Sequence, residues 1–170
     1  MSESNTLYEE DFAAWSKQQA EALRAAARTA SNQQLDWENL AEEIDDLGRA
    51  HARGLRAYIM RIIQHFVKLE HSPAVDSRNG WRRSIRLARL QIEAILTDNP
   101  SLRRELGRLV GHAAKDGIEL AIIDLEEHAE IDATDFARLR RSSYTPDQVL
   151  GDWFPAEPER ERPARAAVEP

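Results

Sequence analysis

The chain has 170 residues, no cysteine, a hydrophobic share of 42%, a charged share of 31% and a formal net charge of −7. That length fits one domain, and the missing thiols exclude disulfides and thiolate metal sites. No run approaches the ~20 apolar residues of a membrane helix, and Met1 to Asn5 are polar with no apolar run behind them, so neither a membrane span nor a secretory signal is expected and the cytoplasm is the expected compartment.

Helical periodicity dominates, with no period-2 alternation. A first helix is predicted from about Tyr8 to Ala30, with Tyr8, Phe12, Trp15, Gln19, Ala22 and Ala26 on one face and Glu9, Glu10 and Asp11 in its first turn. Ser31-Asn32-Gln33-Gln34 breaks the pattern, and Asp36 is the expected N-cap of a very long second helix ending near His71. Trp37, Leu40, Ile44, Leu47, Leu55, Tyr58, Ile62, Phe66 and Leu69 form its stripe. The 11-residue steps from Ile44 to Leu55 to Phe66 suit a nearly straight rod. Its middle, Ala50 to Gly54, is weaker helix-forming material.

Pro73 and Asn79-Gly80 mark a turn. A third helix, Trp81 to Leu96, is predicted to bury Trp81, Ile85, Ala88, Ile92 and Leu96. Asn99-Pro100-Ser101 ends it, and either Asn99 or Ser101 caps a fourth helix. That helix is predicted to run to about Ala129 on Leu102, Leu106, Leu109, Ala113, Gly117 and Leu120. A short element at Asp135 to Arg141 comes next, then a last helical turn from Thr145-Pro146-Asp147 to Gly151, with Trp153 and Phe154 docking this arm on the bundle. The expected fold is all-α: an antiparallel bundle of four main helices with a short C-terminal helical arm over residues 6–154. Residues 155–170, with Pro, Glu, Arg and Ala and no core residues, read as a disordered tail.

The order and spacing of several segments resemble a known family. They are Tyr8-Glu9-Glu10-Asp11-Phe12 with Trp15 and Gln19, Leu35 to Leu40 running into Glu42-Glu43-Ile44 and Leu47-Gly48, His65 to Lys68, Trp81 to Ile85, and Asn99 to Leu102. Together they are similar to the bacterial family called domain of unknown function 29, over about residues 6–155. The resemblance implies a helical bundle and carries no activity or site residues with it.

Charge is segregated along the chain. Residues 1–48 carry 3 Lys/Arg against 11 Asp/Glu, residues 49–108 carry 13 against 5, and residues 109–170 carry 7 against 14. Either acidic and basic helices neutralise one another, or a basic surface awaits an anionic partner. Arg78, Arg82, Arg86 and Arg89 share one side of the third helix and form a candidate anion face. Their bland reading is pairing with Glu42, Glu43, Asp45 and Asp46 or with the acidic fourth helix. No helix-turn-helix or interleaved aromatic accompanies them, so nucleic acid is not an expected partner.

His51 lies on the apolar stripe of the second helix and His65 on its flank, while Asp124 lies one turn beyond Leu120 with His128 at i+4. Each has a structural reading, as a hydrogen-bonded core histidine or an Asp–Arg or Asp–His pair. Each also has a chemical one, as a metal or proton-transfer site using His51 with Asp11 and Gln19, or an acid/base pair of Asp124 with His128. No histidine follows a glutamate by three residues, as bundle metal sites require. Catalytic, cofactor-binding and metal residues are therefore not assigned, and no cofactor is expected.

Antiparallel helices laid against the second one at 1.5 Å per residue leave Trp37, Leu40, Ile44 and Leu47 under-covered. Either the C-terminal arm closes that gap or a second subunit does; Leu87 and Leu90 on the back of the third helix add a further apolar patch. The expected function is a non-catalytic module that self-associates, as a homodimer, or binds another protein. The alternatives are a small-ligand or metal-binding bundle, with or without enzymatic activity, and an anion or nucleic-acid binder through the arginine face.

Overall fold

Long stretches of good helix formers with few breakers fold as rods, and the computed structural model, which describes residues 3–29 and 35–156, holds helices and no strand among them. They are α1 (Glu3–Glu10), α2 (Phe12–Ala27), α3 (Trp37–His71), α4 (Arg78–Asp98), α5 (Leu106–Glu127), α6 (Ala133–Leu139) and α7 (Pro146–Leu150), with a 3₁₀ segment, Pro100–Glu105, between α4 and α5. The predicted turn at 31–34 and residues 157–170 of the predicted tail lie outside the described residues.

The single first helix of the prediction is two. Asp11 is not a first-turn carboxylate but the N-cap of α2, accepting from Ala14 N at 2.9 Å. The same buried carboxylate accepts from Ser101 N at 2.6 Å and Ser101 Oγ at 2.9 Å. A tertiary partner thus holds the break between α1 and α2. Asn99 stands at the N-cap of the 3₁₀ segment with Pro100 next to it, but its side chain makes no capping bond there: it accepts from Ala13 N at 3.0 Å and donates to Ile95 O at 3.0 Å. The chain turns there through 3₁₀ geometry, and neither Asn99 nor Ser101 opens a fourth α-helix directly.

α3 continues unbroken through Gly54, and the Asp36 side chain caps it on Asn39 N. Its neighbours alternate in direction. α2 runs antiparallel along the N-terminal half, with Ser16 against Gly48 and Phe12 beside His51. α4 runs antiparallel along the C-terminal half, where Ser84 meets His65 and Trp81 lies under Lys68. α5 runs parallel to α3, pairing Asp116 with Arg56 and Asp124 with Gln64. The main contacts of α2 are therefore with α3, and the four rods do not enclose one core along their whole length.

The core lies where α3, α4 and α5 meet: Leu55, Ile59, Ile62, Ile63 and Phe66 against Ile85, Ile92 and Leu96, and against Leu109, Ala113, Ile122 and Leu125, all nearly or fully buried. Each such large side chain contributes roughly 1.5–3 kcal/mol of transfer free energy. On α5 the predicted Leu120 is exposed, because the inward face runs through Ile118, Ala121, Ile122 and Leu125. On α2 the buried residues are Ser16 and Ala20, one step off the predicted stripe. On the N-terminal half of α3 they are Ala41 and Gly48. Small residues win there because they let α2 and α3 approach closely.

The C-terminal arm is pinned at the other end of α3. Thr145 and Gln148 form a reciprocal capping box at α7. Tyr144 and Trp153 pack on Phe66, at ring-centre distances of 5.5 and 5.0 Å.

Candidate functional site

α2 covers one side of the N-terminal half of α3, and the side that carries Leu40 and Leu47 is left open among the described residues. Trp37, Leu40, Ile44 and Leu47 recur at spacings of 3, 4 and 3, which keeps them on one side of the rod. Leu40 is 42% and Leu47 54% exposed, while Trp37 and Ile44 are half-buried. The arm that could have closed this gap lies instead beside Phe66. Tyr8 packs edge to face on both Phe12 and Trp15 at one end of the stripe and is 45% exposed. His51 continues the stripe and packs edge-on to Phe12 at 5.6 Å. Its expected partner Asp11 is oriented away from it, onto Ala14 and Ser101. Leu87 and Leu90 are also exposed, on α4.

The other titratable candidates are tied into the packing. His65 Nε2 lies 3.0 Å from Ser84 Oγ, while its Nδ1 is buried without a hydrogen-bond partner. Burial first, then the charges of Lys68 and Arg61, push its pKa down to about 4. A Ser–His nucleophile needs a carboxylate on that second nitrogen. Asp124 does not supply it: its carboxylate accepts from Lys68 Nζ at 2.9 Å and Gln64 Nε2 at 2.8 Å. The cation that pairs with Asp124 is therefore Lys68 rather than the expected arginine. His128 is exposed and its Nδ1 meets the Asp124 backbone carbonyl at 2.7 Å, so the expected acid/base pair of side chains is not assembled. No group of three or more His, Asp or Glu among the described residues could hold a metal ion.

The arginines of α4 hold the turn before it and the C-terminal arm. Arg78 is buried and donates to Leu69 O at 2.5 Å and Ser72 O at 3.2 Å, closing the turn between α3 and α4. Arg89 donates to Val149 O, Gln148 O and Trp153 O at 2.9, 2.9 and 2.7 Å. Arg82, Arg86 and Arg89 all stack on the Phe154 ring at 5.8, 5.7 and 5.0 Å. The predicted anion face is the platform on which the arm is mounted. Of the carboxylates expected to pair with it, Asp45 and Asp46 pair instead with Arg49 of their own helix, and Asp45 also with Arg24 of α2.

These helices and their spacing match a family model, Domain of unknown function DUF29, over residues 7–154. The chain belongs to this family. Its fold is similar to that of an alpha-helical protein of unknown function from Rhodospirillum rubrum, at 25% identity, covering 85% of this chain and 89% of that one, with a TM-score of 0.65. No curated protein matches.

In this DUF29 chain the positive charge of residues 49–108 also emerges in a place that the spacing did not single out. A groove of about 750 Å³ between α2, α3 and the start of α5 is lined by Lys17, Arg53, Arg104 and His112 among others. These come from four separate elements, so no single-helix pattern reveals them. No helix among the described residues is long and apolar enough to cross a membrane.

Proposed function

We propose that this DUF29 domain is a non-catalytic protein-interaction module that self-associates through the N-terminal face of α3. The observation that carries this is the exposure of Leu40 and Leu47 on one rod face, beside Trp37 and Ile44. An apolar stripe of that spacing is the usual seam between helices, and exposed contiguous apolar residues mark contact surfaces. Two copies meeting about a two-fold axis would lay stripe against stripe, with Tyr8 at the rim. Catalysis has less support: His51 and His65 are packed against neighbouring side chains, His128 meets a backbone carbonyl of its own helix, and Asp124 pairs with Lys68.

Sedimentation at micromolar concentration tests it. The wild-type chain is expected to sediment as a dimer and Leu47→Glu as a monomer that still melts cooperatively, without the concentration-dependent stability that dimerisation adds to the wild type. A wild-type chain that remains monomeric, or a variant that dimerises as before, overturns the proposal.

A further inference from the structure

The groove beside Gly48 lies on a different face of α3 from the apolar stripe, so a ligand bound there would not compete with self-association. Six cationic side chains line it: Lys17 of α2, Arg49, Arg53 and Arg56 of α3, Arg104 of the 3₁₀ segment and Arg108 of α5. Three carboxylates, Glu21, Asp45 and Glu105, line it with them. This is a positive concentration inside a chain of net charge −7.

The pairing is incomplete. Arg49 is matched to Asp45 and Asp46, Arg56 to Asp116 and Arg108 to Glu105. Arg53 donates to the Asp46 carbonyl at 3.4 Å, and its charge also bears on the Asp46 carboxylate that Arg49 already pairs. Lys17 and Arg104 have no ion-pair or hydrogen-bond partner among the described residues. Three elements thus bring cations without a side-chain ion pair of their own to one concavity, which Glu21 also lines and whose wall includes the apolar Ala13, Ala52, Leu102 and Leu109. Like charges gathered this way repel, and the repulsion is relieved by a bound anion. Guanidinium forks match phosphoryl oxygens in pairs, with lysine adding a point charge. The volume falls in the range of small-molecule sites.

We propose that this groove binds a small phosphorylated ligand, its phosphoryl group held by Arg53, Arg104 and Lys17 and its organic body against Ala52, Leu102 and Leu109. Calorimetric titration of the full chain with inorganic phosphate, pyrophosphate, ATP and a single-stranded oligonucleotide, at matched ionic strength, tests it. Pyrophosphate or ATP is expected to bind, and Arg53→Ala with Arg104→Ala to weaken that binding by about tenfold or more. The melting temperature should hold, since both side chains are exposed. Arg83→Ala, on the exposed back of α4, is expected to bind like wild type. Three results overturn the proposal: no heat with any probe, equal binding by wild type and the double variant, or binding of the oligonucleotide alone with a steep salt dependence.

Discussion

Gly48 of α3 lies so close to Ser16 of α2 that a Cβ at position 48 would fall 1.9 Å from Ser16 Oγ and 3.2 Å from Ser16 Cβ. The contact sets how near α2 comes to the long helix, and with it the wall of the cationic groove. Ser16 Oγ is itself engaged, donating to Ala13 O at 3.0 Å, so turning it aside breaks that bond.

Gly48→Ala is therefore expected to destabilise by about 1–2 kcal/mol, the overpacking cost less the gain in helix propensity. Ser16→Ala should recover most of it in that background, a coupling of at least ~0.5 kcal/mol in a chemical-denaturation cycle. Additive effects would show that the two residues do not meet. At Gly117 the obstacle is the Met60 backbone carbonyl, 2.7 Å from the added Cβ. Gly117→Ala should therefore cost more, about 3 kcal/mol, and no side-chain truncation should restore it fully.

Ala129 has a φ of 53°, in the left-handed region. It occupies the position after the α5 C-cap where glycine is favoured, with Glu130 N donating to Leu125 O at 2.8 Å and Ala129 N to Glu126 O at 2.9 Å. Ala129→Gly is expected to stabilise by about 1 kcal/mol, read as a higher denaturation midpoint. A lower midpoint would contradict the backbone geometry.

Arg89 ties three carbonyls of the arm to α4. Arg89→Ala should destabilise by about 2–3 kcal/mol and release Trp153 from Phe66, seen as a red-shifted emission and faster proteolysis of the 142–151 segment. Arg89→Lys, without the fork, should fall between wild type and alanine. If the emission and the cleavage rate of both variants match wild type, the arm is held by other contacts.

His65 has a folded-state pKa of about 4, below its ordinary value of 6.5. The unfolded chain thus binds more protons in that interval, and stability falls as pH drops from about 6.5 towards 4. The contribution is roughly 2 kcal/mol after allowing for partial exposure. Burial lowers His71 in the same direction, whereas burial raises Glu70 and opposes the trend nearer its own range. His65→Gln should flatten the wild-type slope of stability against pH between 4 and 6.5. A slope that survives the substitution would place the titration elsewhere.

The rods themselves were legible because helix formation answers to local patterns: Asp36 caps, Thr145 and Gln148 close a box, and Leu55, Ile62 and Phe66 recur at the helical period. The break at Asp11 was not, since its cause is Ser101, ninety residues away. The inward faces of α2 and of the first half of α3 escape a periodic reading for a related reason. A periodic count weighs large apolar residues, whereas this contact selects Ser16, Ala20, Ala41 and Gly48 for closeness. The arginine face was visible as a pattern, but its partners, Phe154 and the carbonyls of the arm, were not.

By itself the sequence determined an all-helical chain, its family, the alternation of its helices and the apolar stripe from Trp37 to Leu47, because these depend on hydrophobic period and end signals within short windows. Only the tertiary structure decided that the arm packs at Phe66 and leaves that stripe open, and that Lys17, Arg53 and Arg104 share one groove. Which surfaces meet depends on contacts between residues far apart in the chain, and no local pattern encodes them.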